Sequence, residues 1–258
     1  METPAKTKGI PASALKIIAI IFMVIDTLVA LLLRMNVIGA LTAVICCFLL
    51  TEGLDHTISR RGYLLRLVVF AIMSEIPFDL INFGTFNILY QNAAFTLALA
   101  LLTLIAVDAV MKKWRSVPLA LLITLLGMAV SELVRADYGC IMVMIAVFFY
   151  FLKKKREQKV EFIAGGVAVY ITGLMIHDLC DRFFVTLWDK TLSGDIRLFP
   201  YTMIFYPFII IFAVAGLVIL LFYNGKKGYQ PAKIGYYLAY PLHMFLIPPV
   251  VFLIGLMI

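Results

Sequence analysis

The sequence predicts an all-α integral membrane protein, a bundle of about nine transmembrane helices. Of its 258 residues, 64% are hydrophobic and only 14% are charged, whereas soluble domains average roughly 45–50% apolar and about 25% charged residues. The mean hydropathy is +1.04. Polar side chains are too few to cover the apolar surface of such a chain, so lipid has to cover it. This composition excludes a large soluble domain.

Nine apolar runs follow one another, separated by short breaks that contain Gly, Asn, Pro or charge. Each run is expected to be helical, because an unpaired backbone amide in lipid costs several kcal/mol. A crossing takes roughly 20 apolar residues, so the runs fill a single membrane domain, residues 1–258. The first run is expected to be a retained span rather than a cleaved signal. The runs are about residues 15–33, 37–54, 64–80, 93–111, 117–134, 138–152, 161–180, 203–223 and 236–257.

Basic residues fall unevenly on the two sides that these runs define. Seventeen of the 22 lysines and arginines lie on one side, and the positive-inside rule places that side in the cytoplasm. The N-terminus is therefore predicted to be cytoplasmic and the C-terminus outside. The longest outer connection, about residues 181–201, holds Trp188, Tyr201 and mixed charge, which is typical of a segment at the membrane interface.

Asp26 is the clearest polar residue in an apolar run. It lies about eleven residues into the first run, between isoleucine, valine and phenylalanine side chains. A carboxylate at a helix centre costs roughly 2.5–3.5 kcal/mol on insertion scales, so it needs a partner, a cavity or a function. Asp26 is expected either to hydrogen-bond to a neighbouring helix or to face a polar cavity as a site residue.

Two further carboxylates, Glu75 and Asp79, are spaced i and i+4 near the outer end of the third run. This spacing places both on one helix face. Pro77 lies between them, removes a backbone hydrogen bond and bends the helix, which would open this face toward a cavity. The alternative, strongest for Asp79, is an acidic helix end wetted at the outer surface.

Charged residues also lie at the inner ends of the runs. Glu52 ends the second run and Arg66 begins the third, so the two are expected to pair across the short loop, either to hold the hairpin or to face a ligand. Lys16 either extends to the inner surface or binds a ligand there. Asp108 and Lys112 are spaced i and i+4, which predicts an ordinary interfacial ion pair.

The chain contains three histidines. His243 lies about two turns into the last run, and its imidazole titrates near neutrality, which suits a general base. A hydrogen-bonded core histidine is the competing interpretation. His177, near the outer end of the seventh run, is expected at the interface. His56 is expected in a cytoplasmic loop, solvated unless it binds phosphate.

No metal or nucleotide signature is present: the sequence has no HExxH, no His/Cys cluster, no GxGxxG and no P-loop. The four cysteines lack CxxC spacing, and we interpret them as packing thiols. They are Cys46, Cys47, Cys140 and Cys180.

Several short segments, in chain order, resemble the signatures of the TraX family. Ser-Glu-Ile-Pro-Phe-Asp is the most specific of them, and together they cover residues 15 to 257. The segments are Lys16 to Asp26, Phe48 to Gly53 with Arg61 to Arg66, Ser74 to Asp79, Phe95 to Leu97, Asp137 to Gly139 and Tyr240 to His243.

The resemblance implies a polytopic acyltransferase of the bacterial inner membrane. Such relatives move an acyl group from cytoplasmic acyl-CoA to sugars or other acceptors at the outer side, and the family's namesake is associated with N-terminal acetylation of conjugative pilin. The expected donor is acyl-CoA, chiefly acetyl-CoA, with no metal. The expected partners are the lipid bilayer and an acceptor that is a protein N-terminus or a glycan, and no nucleic acid.

The first run departs from the family pattern at one position. In those enzymes a basic residue and a histidine eleven positions later are central; here Lys16 is present, but the later position holds Thr27 beside Asp26. A threonine hydroxyl does not titrate usefully near pH 7 and cannot replace imidazole as a base. Either His243 supplies the base, or the activity is lost or altered.

The leading hypothesis is an acyltransferase whose reaction takes place in a cavity between the helices. Asp26 and His243 differ in depth by roughly 5 Å at the helical rise per residue, which permits contact. The alternatives are a degenerate relative that binds a ligand or a partner membrane protein, and a small transporter, although no inverted repeat is visible. The expected residues are Asp26, His243 and Glu75 for catalysis, and Lys16, Arg66 and Glu52 for acyl-CoA.

Overall fold

A computed structural model describes residues 9–33, 35–153, 157–188, 199–229 and 233–255. These ranges form nine α-helices, without a β-strand among them, in the order of the nine predicted runs, which confirms the all-α prediction. The expected interfacial segment lies partly outside the described residues, since 189–198 are not among them. The helices are α1 Ala12–Leu33, α2 Gly39–His56, α3 Arg60–Phe83, α4 Ala93–Lys113, α5 Val117–Leu133, α6 Gly139–Leu152, α7 Lys159–Trp188, α8 Phe199–Leu221 and α9 Lys233–Gly255.

Four of these helices are long and apolar enough to cross a membrane: α1, α2, α4 and, over Lys159–Phe183, α7. α5, α6 and the Phe205–Leu221 part of α8 are apolar but shorter. α3 carries three arginines and two carboxylates, which lowers its hydropathy. The described part of the chain is therefore a membrane protein with nine helices. Helix length and composition alone do not establish nine crossings.

Local sequence signals account for several helix ends. Ser59, Asn92 and Ser116 precede α3, α4 and α5, and each side chain accepts a backbone N–H from the first helical turn. Such caps satisfy donors that a helix N-terminus otherwise leaves unpaired. Gly84 ends α3 in the left-handed conformation, with φ of 67°, which glycine adopts without strain.

The centre of the bundle is built by α2 and α6. α2 packs against α1, α4, α6 and α8, and α6 also packs against α5 and α7. Gly216 allows α8 to approach α2 closely, since a Cβ there would lie 3.1 Å from the Leu41 carbonyl oxygen. In the described part of the chain, α9 packs chiefly against α1 and α3. A space is left between α9 and the central helices, and the cavities described below occupy it.

The predicted pair between Asp108 and Lys112 is confirmed, with 3.0 Å between the charged atoms. Asp108 is buried, forms an ion pair with Arg60 at 2.5 Å and accepts a hydrogen bond from the Tyr150 hydroxyl at 2.9 Å. One carboxylate therefore joins α3, α4 and α6. The structure assigns it the structural role that the sequence indicated.

The expected ion pair between Glu52 and Arg66 is replaced by a different one. Glu52 lies 3.5 Å from the Lys153 ammonium and accepts a hydrogen bond from the Tyr223 hydroxyl at 3.0 Å. Lys153 is 8% exposed and also binds Asp55 at 2.6 Å. Because α2 packs between α6 and α8, Glu52 reaches these helices, whereas Arg66 is directed to a cavity. Glu52 thus holds three helix ends together.

Candidate functional site

A large cavity of about 1000 Å³ opens between α1, α2, α3, α4, α6, α7, α8 and α9, beside the α5–α6 connection. Its wall is apolar over much of its area, with polar groups from α1, α2, α3, α7, α9 and the connecting loops. The polar lining residues are Asp26, Thr27, Asn36, Thr42, Asn82, Asp137, Tyr138, Tyr170, His177, Tyr240 and His243. Apolar walls with a few convergent polar groups are typical of a binding site for a small molecule.

Asp26 is held at the N-terminus of α2. The backbone N–H groups of Ile38 and Gly39 hydrogen-bond to its carboxylate, and the positive end of the helix dipole favours the negative charge there. A side chain at Gly39 would displace both neighbours, since a Cβ would lie 2.7 Å from Asp26 Oδ2 and closer still to the Tyr138 hydroxyl. Oδ1 is buried without a hydrogen-bond partner in the described protein. Asp26 thus both joins two helices and faces the cavity.

His243 presents an unoccupied ring nitrogen to the same cavity. The residue is 6% exposed, and its Nδ1 lies 3.1 Å from the Ala239 carbonyl oxygen. A carbonyl only accepts hydrogen bonds, so Nδ1 carries the proton and Nε2 holds a lone pair. Nε2 is buried with no partner among the described residues. His243 therefore has a free acceptor atom on the cavity wall.

The contact between Glu132 and His177 was not predicted from the sequence. Both carboxylate oxygens of Glu132, on α5, lie 3.0 Å from Nδ1 of His177, on α7. The backbone N–H of Cys140, in the first turn of α6, donates to the same carboxylate at 2.6 Å. His177, which the sequence predicted at the interface, lines the large cavity. The two residues are 45 positions apart, so no local pattern in the sequence joins them.

The α5–α6 connection brings further polar groups to this end of the cavity. Thr96 donates to the Asp137 carbonyl oxygen. Desolvation raises the pKa of the Asp137 carboxyl to about 6; the nearby His177 opposes the rise and the Asp26 carboxylate adds to it. Tyr170 is 1% exposed, and its hydroxyl is buried without a partner in the described protein. Carboxylates, imidazoles and a phenol therefore converge within one space.

A smaller cavity of about 340 Å³ adjoins the large one. Its far end is basic: Lys16, Arg66 and the exposed His56 line it, and the Lys16 ammonium lies 4.8 Å from the centre of the Tyr236 ring. Five residues belong to the walls of both cavities and lie at the boundary between them, which we call the neck. The neck residues are Met23, Thr42, Cys46, Leu97 and Tyr240.

The two adjoining cavities extend along α1. Lys16 at the basic end and Asp26 at the other are ten residues apart, a rise of roughly 15 Å in an α-helix. Thr27, at the position where the family pattern has histidine, lines the large cavity. Its hydroxyl donates to the Met23 carbonyl oxygen at 3.1 Å. The side chain at position 27 therefore faces the large cavity.

Glu75 and Asp79 lie beside the cavity rather than in its wall. Glu75 accepts a hydrogen bond from the Asn92 side chain at 2.5 Å, and Asp79 accepts one from the Asn87 backbone at 2.9 Å. Asn92 also donates to the Ala71 carbonyl oxygen at 2.8 Å. As the i, i+4 spacing predicted, both carboxylates act on one side of α3. They hold the connection between α3 and α4.

We expect Glu75→Gln to transfer any substrate near the wild-type rate and to lower the free energy of unfolding by about 1 kcal/mol, because a charged hydrogen bond becomes neutral. Asn92→Ala should cost more, about 2 kcal/mol, since the cap of α4 is lost as well. Thermal unfolding in detergent measures both. A folded Glu75→Gln protein with a rate about 100-fold lower would show that Glu75 has a catalytic role.

Comparison with known proteins bears on the same region. The family model described as TraX protein matches residues 12–251, which include both cavities. The chain is 28% identical over 254 residues to the probable fimbrial assembly protein FimC, serogroup H1, of Dichelobacter nodosus, covering 92% of this chain and 93% of that protein. No solved structure is significantly similar.

Proposed function

Because the chain belongs to the TraX family of membrane proteins, we propose that it transfers an acyl group, preferably acetyl, from acyl-CoA to an amine or hydroxyl group. The observation that carries this proposal is the pair of adjoining cavities, basic at one end and lined by carboxylates and imidazoles at the other. A long donor with phosphates at one end and a thioester at the other matches this arrangement.

The basic end suits the phosphates of coenzyme A. Arg66 is exposed at the mouth of the small cavity and Lys16 lies half-buried beside it. Guanidinium and ammonium groups bind phosphate oxygens through charge-assisted hydrogen bonds, which are about twice as strong as neutral ones. The apolar neck, with Met23 and Leu97, then suits the pantetheine arm that leads to the thioester.

The other end suits the acceptor. Asp26 Oδ1 and His243 Nε2 are acceptor atoms with no hydrogen-bond partner among the described residues, so they can bind a group that donates a hydrogen bond, such as an amine or a hydroxyl. The acceptor attacks the thioester carbon, its proton passes to an imidazole of the cavity, and coenzyme A leaves as the thiol after taking up that proton. The relative's name mentions fimbrial assembly, so we propose a protein N-terminus, with a fimbrial subunit as the first acceptor to test and a glycan as the second.

We further propose nine crossings of the bacterial inner membrane, with the N-terminus in the cytoplasm and the C-terminus outside. The bias of basic residues supports this, as does the position of Lys16 and Arg66 at one end of the cavities. Acyl-CoA does not cross membranes, so inside-out vesicles given labelled acetyl-CoA should label the acceptor and sealed right-side-out vesicles should not. Labelling only in right-side-out vesicles would show that the protein has the opposite orientation in the membrane.

The proposal is tested with purified protein in nanodiscs, labelled acetyl-CoA and a fimbrial subunit or a synthetic amine acceptor. His243→Ala is expected to lower the transfer rate at least about tenfold, because the acceptor loses a positioning contact. Leu242→Ala, on the neighbouring exposed position, should leave the rate unchanged. Full activity in His243→Ala would remove His243 from the mechanism.

Thr27 favours a second function: a degenerate relative that binds acyl-CoA or a partner without transferring the acyl group. The side chain at this position faces the large cavity, but a hydroxyl cannot act as a base near pH 7. Restoring the imidazole with Thr27→His separates the two functions. If acyl transfer appears only in Thr27→His, the wild-type chain is a binding protein; if the wild type transfers, it is an enzyme.

A further inference from the structure

The turn before α6 leaves room for the contact between Glu132 and His177. Tyr138 and Gly139 both adopt positive φ, 61° and 34°. A Cβ on Gly139 would lie 2.7 Å from His177 Nδ1 and closer still to Glu132 Oε1. The chain thus adopts two uncommon backbone conformations, with no side chain at the second, at the place where α5, α6 and α7 meet.

Glu132, on α5, is held by contacts from two other helices. It is 7% exposed on α5, it accepts the Cys140 N–H at the start of α6, and it binds the imidazole of α7. The N-terminus of α6 favours a negative charge beside it. The carboxylate is therefore held both in place and in its ionised form.

This arrangement sets the tautomer of His177. A carboxylate only accepts, so Nδ1 of the neutral ring carries the proton and Nε2 holds the lone pair. His177 lines the large cavity, and the carboxylates of Asp137 and Asp181 also lie within electrostatic reach of it. Negative groups around an imidazole stabilise the imidazolium that forms when the ring takes up a proton.

The two imidazoles of the cavity differ in their hydrogen-bond partners. His243 donates a hydrogen bond from Nδ1 to a neutral carbonyl of its own helix. A neutral carbonyl stabilises an imidazolium only weakly, and a partner on the same helix does not fix the ring from a second helix. His177 has an ionised, buried partner on another helix. A base oriented by a third group is the arrangement that general base catalysis uses.

We propose that His177 is the general base of this protein and that Glu132 is its positioning residue; this rests on the proposed acyl transfer. Nε2 of His177 takes the proton as the acceptor nitrogen or oxygen bonds to the thioester carbon. The carbon–sulfur bond then breaks, and the leaving thiolate takes the proton back from the imidazolium. The products are the acylated acceptor and coenzyme A thiol, and His177 returns to its neutral form.

The test measures kcat and KM for acetyl-CoA with protein in nanodiscs. His177→Gln is expected to lower kcat about 100-fold or more, since general base catalysis contributes roughly 10²–10⁴-fold. KM should stay close to that of the wild type, because the base does not touch coenzyme A. Glu132→Gln should lower kcat at least about tenfold, through loss of the imidazolium's partner.

The matched control is Asp178→Asn, which makes the same carboxylate-to-amide change one residue from His177. Asp178 pairs with Arg182 on the same helix, at 2.5 Å, and does not line the large cavity, so kcat should be unchanged. Imidazole added to His177→Ala should restore part of the lost rate, which a structural histidine would not allow. A cooperative thermal unfolding transition is used to check that each variant is folded.

The outcomes separate this inference from the proposed function. Transfer by the wild type with unchanged kcat in His177→Gln would overturn the assignment of His177 and leave the acyltransferase proposal intact. The assignment is also overturned if kcat falls equally in Asp178→Asn, or if imidazole restores nothing to a folded His177→Ala protein. No transfer by the wild type with any acceptor would contradict the proposed function itself.

Discussion

Met23→Trp is expected to lower acyl transfer roughly 100-fold or more, because the indole fills the neck through which the thioester has to reach the acceptor. Met23 lies in the walls of both cavities, so the larger side chain enters open space instead of a packed core. The variant should therefore fold, with little of the overpacking cost that buried positions show.

Ile21→Trp provides the matched control on the same helix. Ile21 is 50% exposed on the outer face of α1, where an indole contacts lipid and reaches neither cavity. Its transfer rate should equal that of the wild type. The two rates are measured with labelled acetyl-CoA in nanodiscs, with binding of coenzyme A measured alongside. Wild-type transfer in a folded Met23→Trp protein would show that the acyl group does not pass through the neck.

Arg66→Glu is expected to raise KM for acetyl-CoA at least about tenfold, since a charged hydrogen bond contributes roughly 1.5–3 kcal/mol and the reversed charge repels phosphate. At saturating acetyl-CoA, kcat should be close to that of the wild type, because Arg66 lies far from the reacting groups. Initial rates over a range of acetyl-CoA concentrations, in inside-out vesicles, give both constants.

Arg61→Glu makes the same change of charge on α3 without touching the small cavity. Arg61 is exposed and is absent from the cavity wall, and the Debye length of about 8 Å at physiological salt limits its influence on a ligand. Its KM should change little. An equal rise of KM in both variants would mean that the general charge of this face, and not a phosphate site at Arg66, attracts the donor.

The order and type of the helices could be predicted from the sequence because hydropathy is a local property of each run. Asp26 and His243 were found by the same argument: a polar group in an apolar run needs a partner or a cavity. The structure places both on one cavity wall. Their roles in catalysis remain proposals, as do those of Lys16 and Arg66 in binding acyl-CoA.

The partners of the remaining charged groups could not be predicted, since they depend on which helices pack together. Glu52 was matched with the nearest arginine along the chain, but α6 and α8 bring Lys153 and Tyr223 to it. Glu75 was placed in the cavity by its spacing and by the proline, whereas its hydrogen bond goes to Asn92. Spacing along one helix gives the face on which a side chain lies and leaves its partner undetermined.

The Glu132–His177 contact shows the same limit at the centre of the site. Glu132 near the end of α5 and His177 within α7 are 45 positions apart, and the packing of three helices with a tight turn at Gly139 brings them together. A signal was present in the Asp137-Tyr138-Gly139 segment, which includes the glycine that the contact requires. Its meaning becomes visible only when α5, α6 and α7 are packed.

The most direct test of the account is an experimental structure, in nanodiscs, with a non-transferable thioether analogue of acetyl-CoA. We expect the phosphates beside Lys16 and Arg66, the pantetheine arm in the neck at Met23 and Thr42, and the acyl carbon in the large cavity facing His177. An analogue bound elsewhere, or a closed wall between the two cavities with the analogue present, would contradict the account.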